Sequence, residues 1–134
     1  MILDAPRAVA AAVNELLERG DEVWLIGSRA NGTAKATSNW DFIVIGSSGT
    51  LGRLRSQAPI PDLDLLVVFD GDEFSSPWPR IEDGNFKTGS LRRWQWQRLS
   101  EELATYEATK WPDDGAMEIA TKQAARVHEC QTTA

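Results

Sequence analysis

Cysteine and histidine each occur once, as Cys130 and His128, so an internal disulfide is excluded and so is a zinc centre of the Cys/His kind. Any metal the chain holds must rest on carboxylates, which favours Mg²⁺ or Mn²⁺. Basic residues are outnumbered. Fourteen Lys and Arg against 20 Asp and Glu leave a net charge of −6, the wrong sign for affinity built on neutralising many phosphates along a nucleic acid. A basic protein partner suits that charge better. No apolar stretch is long enough to cross a bilayer, and the first residues lack a basic segment followed by an apolar one. The expectation is therefore a cytoplasmic protein with no membrane span and no signal peptide. His128 and Cys130 lie near an end expected to fray, from Gln131 to Ala134, and read as structural or incidental rather than catalytic.

What is present is an ordinary globular composition, 42% hydrophobic and 25% charged, in a chain of 134 residues. That length suits one domain, 1–134, around one core. Residues 5 to 19 predict a helix, with Asp4 as its cap, Pro6 in its first turn and Gly20 after it. Val9, Val13, Leu16 and Leu17 give it one apolar face. Apolar runs at Val23–Ile26, Trp40–Ile45 and Leu63–Phe69 predict three strands. The segment 46–61 holds Gly, Ser and Pro and has room for at most two turns of helix. Residues 72–89 read as an irregular connection with a short strand near Asn85–Thr88.

From Ser90 to Lys110 the positions of Leu91, Trp94, Leu99, Leu103 and Tyr106 predict a long helix, with Trp94 inward and Trp96 outward. Trp-Gln-Trp also alternates like a strand, but the Glu-Glu-Leu-Ala that follows favours helix. Arg92, Arg93 and Arg98 near the two tryptophans could form a nucleic-acid patch; a solvated helix face over a buried Trp accounts for them more simply. A second C-terminal helix is expected from Asp113 or Asp114 to about Glu129. The predicted fold class is α+β, a small mixed β-sheet with helices on one side and two helices at the C-terminal end.

The stretch 22–46 carries the chemistry. A strand stops at Gly27-Ser28, a pair that allows a sharp turn and can open a short helix whose N–H groups face outward, a geometry that suits phosphate. Both residues are expected to serve a ligand rather than to fill core. Ser28 has no nearby base to make it a nucleophile. A polar loop follows, and strand alternation then places positions 39 and 41 on one face.

Gly27-Ser28, ten residues, then Asn39-Trp40-Asp41 resembles the Gly-Ser, ten residues, Asp-x-Asp signature of minimal nucleotidyltransferases, within the DNA polymerase beta-type nucleotidyltransferase superfamily. The likeness covers about residues 21 to 70 and is specific from Gly27 to Asp41. It implies that Gly27 and Ser28 hold the phosphates of a nucleoside triphosphate, ATP by resemblance. It also implies that the Asp-x-Asp carboxylates bind divalent metal in a two-metal mechanism that transfers a nucleoside monophosphate to a hydroxyl. This chain has Asn39 where the first Asp stands. A third carboxylate is expected from the next strand, where Asp64 sits, with Asp62 as the alternative. The implied site is Asn39, Asp41 and Asp64, with Asp41 and Asp64 as metal ligands. In such proteins the acceptor is sometimes a toxin protein encoded beside the enzyme. Asn39 removes a full charge and cannot bridge two cations, which also supports a rival reading: a catalytically degenerate, antitoxin-like module that binds a partner through the Trp-rich segment.

Overall fold

The structure, a computed structural model, describes residues 1–110, 115 and 117–133. Strand β1 (Ile2–Ala5) leads into helix α1 (Arg7–Glu18), whose Val9, Ala10, Val13 and Leu16 are buried at helical spacing. Gly20 closes the helix at φ +93°, a left-handed turn that glycine adopts without steric cost. Asp4 is not the helix cap. It belongs to β1, Pro6 takes the cap position, and no side chain caps the helix.

Strand β2 (Glu22–Ile26), the single-turn helix α2 (Gly27–Ala30) and strand β3 (Trp40–Ile45) follow as the hydrophobic pattern predicts. Helix α3 (Ser48–Arg55) is about two turns long and starts on a reciprocal cap, the Ser47 hydroxyl accepting from the Thr50 N–H and the Thr50 hydroxyl from the Ser47 N–H. Strands β4 (Leu63–Val68), β5 (Glu73–Ser75), β6 (Thr88–Ser90), β7 (Gln97–Arg98), β8 (Leu103–Lys110), β9 (Glu118–Val127) and β10 (Glu129–Thr132) complete the described chain.

Among the described residues eight strands form one mixed sheet in the order β6-β5-β4-β3-β2-β9-β8-β7, so it is larger than the small sheet expected. Strand β3 runs parallel to β4 and antiparallel to β2. A separate parallel pair joins β1 to β10, with Leu3 opposite Cys130. The residues before Ala134 thus do not fray as expected. The buried Cys130 is a packing residue, and its thiol is pushed up to about 11 by burial and by the Asp4 charge.

Alternation divides the sheet into two faces. Val23, Leu25, Phe42, Val44, Leu63, Leu65 and Val67 face α1 and α3 in one core. Trp24, Ile26, Ile43, Leu66 and Val68 face the other way, and with Phe74 and Tyr106 they form a second core without a helix over it. Helices therefore lie on one side, as expected. The second face is covered by the sheet itself. Phe74 on β5 and Tyr106 on β8 sit far apart in strand order, yet both touch the ring of Trp94, at 5.0 and 5.2 Å between centroids, so the sheet curls over.

The helix predicted for Ser90–Lys110 is absent. Ser90 ends β6, one tight turn follows, and Gln95 at φ +54° breaks any helical continuation before β7 and β8. Trp96 does not face outward. It is half-buried, edge-on to Trp24 at 5.5 Å and stacked with Tyr106 at 6.2 Å. The alternation of Trp94 and Trp96 is that of extended chain laid over the sheet, and burial of three aromatic rings there outweighs the helix propensity of Glu101–Ala104. Among the described residues the second C-terminal helix is also absent. Strand β9 runs from Glu118 to Val127 and seats against β2, pairing Leu25 with Ala125. The expected start of that helix, Asp113 or Asp114, lies outside the described residues.

Candidate functional site

The turn after β2 and the starts of β3 and β4 converge on the curled face. Ile26 pairs with Asp41 across the antiparallel ladder, and Asp41 pairs with Asp64 across the parallel one. Asp41 shares its face with Ile43, and Asp64 shares its face with Leu66, so both carboxylates point away from α1 and α3. They are close enough to share a hydrogen bond. Burial first, then that bond and the charge of Asp64, push the Asp41 carboxyl up to about 6, against the pull of Lys87 and Arg29.

Asn39 joins the pair through its amide, which donates to Asp64 Oδ2 at 3.0 Å. Asp62 stays out. It sits before β4 at φ +64°, exposed, and its carbonyl accepts the Trp40 N–H at 2.8 Å. Of the two candidates for a third carboxylate, the structure sets Asp64 beside Asp41.

Gly27 adopts φ +72°, and a Cβ there would lie 2.5 Å from Asp41 Oδ2. Only glycine leaves room for the carboxylate. Gly27 is thus packed directly against the site, which the expectation of a purely ligand-facing residue did not include. Its N–H is already used, donating to the Tyr106 hydroxyl at 2.9 Å. The Ser28 hydroxyl makes no hydrogen bond among the described residues and is half-buried beside that turn.

Arg29 braces the loop that follows. Its guanidinium lies 3.9 Å from the centre of the Trp40 ring and donates to the carbonyls of Ser38, Lys35 and Ala36. Asn31 ties the same turn to β9, donating to the Gln123 carbonyl and accepting the Gln123 N–H as a strand residue would. Two residues near the site escaped the sequence reading. The spacing of Tyr106 fits a helical stripe, and its being the chain's only tyrosine is the one signal that sets it apart. Lys87 fell in a connection without periodicity. Arg98 binds Glu22, and His128 pairs with Glu102 at 2.7 Å, both away from the carboxylate pair.

A divalent ion could rest on Asp41 and Asp64; burial, more than the neighbouring Asp64, is what holds the Asp41 carboxyl above its ordinary range. The donor set is small. Among the described residues no group of three or more His, Cys, Asp or Glu side chains gathers to hold a metal. Asn39 Oδ1 is the neutral oxygen beside the pair. Comparison with protein-family models, curated proteins and solved structures returns no match.

Proposed function

We propose that this chain is a nucleotidyltransferase-type domain that transfers a nucleoside monophosphate from a nucleoside triphosphate, ATP in the first instance, to a hydroxyl of a protein or small molecule. The observation that carries this reading is the pairing of Asp41 with Asp64 in register on neighbouring parallel strands, directly against the Gly27 turn. The spacing of Gly27-Ser28, Asn39 and Asp41 that resembles the minimal nucleotidyltransferases supports it from the sequence side.

Asp41 and Asp64 would hold Mg²⁺ or Mn²⁺, which supplies positive charge against a triphosphate and lowers the pKa of an attacking hydroxyl. Asn39 fixes the Asp64 carboxylate through its amide N–H, as a carboxylate at position 39 could not at neutral pH. Ser28 offers a hydroxyl to phosphate. The Gly27 N–H becomes available to an anion only when the Tyr106 hydroxyl moves aside.

Two contacts favour a second reading, the degenerate partner-binding module. The Asn39 amide takes an oxygen of Asp64, and the Tyr106 hydroxyl takes the Gly27 N–H, so protein groups stand where metal and phosphate would. The Trp-rich helix that this module was expected to present is absent, and Trp94 and Trp96 are engaged by Tyr106, Trp24 and Phe74. Calorimetry with ATP, with and without Mg²⁺ or Mn²⁺, separates the readings. Metal-dependent affinity lost in Asp41→Asn and in Asp64→Asn supports the enzyme; no nucleotide affinity in the parent rejects it.

A further inference from the structure

A second polar recess lies at the other edge of the sheet. It is a groove of about 580 Å³ bounded by α3, by β5 and β6, and by the turn that follows β6. Register pairs Ser75 with Thr88 and Glu73 with Ser90, which sets these side chains on one face. Ser75 is opposite Val67, whose side chain belongs to the core under α1 and α3, so this floor faces away from Asp41 and Asp64.

Three arginines stand around that floor. Arg55, on α3, donates to the Ser75 hydroxyl at 3.1 Å and lies 4.7 Å from the centre of the Phe86 ring, which holds the guanidinium over the groove. Arg92 and Arg93 have their backbone N–H groups fixed by Asp72 Oδ1 and the Ser90 hydroxyl at 2.9 and 3.1 Å, and both are exposed. None of the three guanidiniums forms an ion pair among the described residues, in a chain whose net charge is −6. Asp72 and Glu73 also line the groove, so its formal balance is three positive against two negative.

We infer that this groove binds a small phosphate ester, with Arg55, Arg92 and Arg93 on the phosphate. Guanidinium is the side chain whose planar donors fit phosphate oxygens in pairs, and the exposed Thr88 at the floor offers a neutral hydroxyl, the Ser75 hydroxyl being spent on the Ser76 carbonyl. The volume is that of a ligand larger than the phosphate itself. Glu73 limits the affinity by like-charge repulsion.

The test is equilibrium binding of adenosine 5′-monophosphate, adenosine and inorganic phosphate to the whole chain without divalent ions, in the Asp41→Asn/Asp64→Asn background so that the other centre makes no metal site. The monophosphate should bind, adenosine should not, and inorganic phosphate should compete. Arg92→Gln/Arg93→Gln keeps both backbone hydrogen bonds and should weaken the monophosphate about tenfold or more. Glu73→Gln should tighten it by roughly threefold. Failure of the parent background to bind the monophosphate, equal binding of adenosine, or an unchanged affinity in the arginine variant would each overturn the inference. Because these arms contain no metal and no second carboxylate centre, they stand apart from the outcome at Asp41 and Asp64.

Discussion

Replacing Gly27 by Ala tests the site and the fold together. The residue sits at φ +72°, where a Cβ costs about 1–2 kcal/mol against the following carbonyl. The added methyl would also stand 2.5 Å from Asp41 Oδ2 and 3.3 Å from Asp41 Cβ. The carboxylate can swing, but only by leaving Asp64 or by pressing on its neighbours, and overpacking of this kind costs about 1–3 kcal/mol. The sum, about 2–5 kcal/mol, is a large share of a total stability of about 5–15 kcal/mol, so the variant should fold with a clearly lowered midpoint. Urea denaturation followed by tryptophan fluorescence gives the number, with Ser28→Ala as the control. The half-buried Ser28 hydroxyl makes no hydrogen bond among the described residues, so its loss should stay below about 1 kcal/mol. A Gly27→Ala loss under about 0.5 kcal/mol would refute both the left-handed turn and the contact with Asp41.

Asp41 should also leave a signature in the pH dependence of stability. Its folded pKa of about 6 lies above the ordinary carboxyl value of 3.8, so the folded chain binds more protons between those limits. Stability should therefore fall as pH rises from about 4 to about 6 and level off above, by about 1–2 kcal/mol once solvent screening of a partly exposed group is allowed for. Asp41→Asn should flatten that slope, and an unchanged slope would remove the raised pKa. Tyr106→Phe leaves the Gly27 N–H without its acceptor and should cost about 1–3 kcal/mol; under the proposed function it should also raise affinity for Mg²⁺-ATP, since the displaced hydroxyl no longer competes. Trp94→Ala and Trp96→Ala should cost similar amounts, about 2–4 kcal/mol each, and a near-neutral Trp96→Ala would contradict its contact with Trp24. Asn39→Asp adds a third anion beside Asp41 and Asp64. It should increase Mn²⁺ affinity, read by the electron spin resonance of the free ion, while lowering stability without metal; equal Mn²⁺ affinity would mean position 39 is not at the metal.

The half of the fold that sequence made legible is the half with local signals. Val23–Ile26, Trp40–Ile45 and Leu63–Val68 are continuous apolar runs between Gly, Pro and Asp, and α1 is a helix by period and by its Gly20 stop. The alignment of Asp41 with Asp64 needed only the lengths of two strands once both were taken as neighbours. From Ser90 onward the signals conflict. Leu103, Tyr106 and Lys110 keep a helical interval, and the region is rich in Glu and Ala, yet the deciding terms are distant: β9 completes the β2 edge, and Tyr106 must reach Gly27 across 79 residues of chain. Propensity is summed locally and cannot register a partner that far away. The same distance hid Tyr106 from the site. Its hydroxyl matters for what it touches, and nothing around Tyr106 in the sequence announces Gly27.

The pairing of β2 with β9 also has a meaning in time. About 100 residues separate Leu25 from its partner Ala125, and at roughly 5–20 residues per second a ribosome needs about 5–20 s to add them. For that interval β2 can hold β3 on one side while its other edge stands open, and Gly27 has neither Tyr106 nor the Asn31 bridge to β9. The carboxylate pair can therefore assemble early, on β3 and β4, but the wall that shields it arrives only with the last strands. A nascent chain stalled before residue 103 would present Asp41 and Asp64 with Trp94 and Trp96 lacking the Tyr106 ring they stack on, and an open strand edge beside them that invites pairing with another chain.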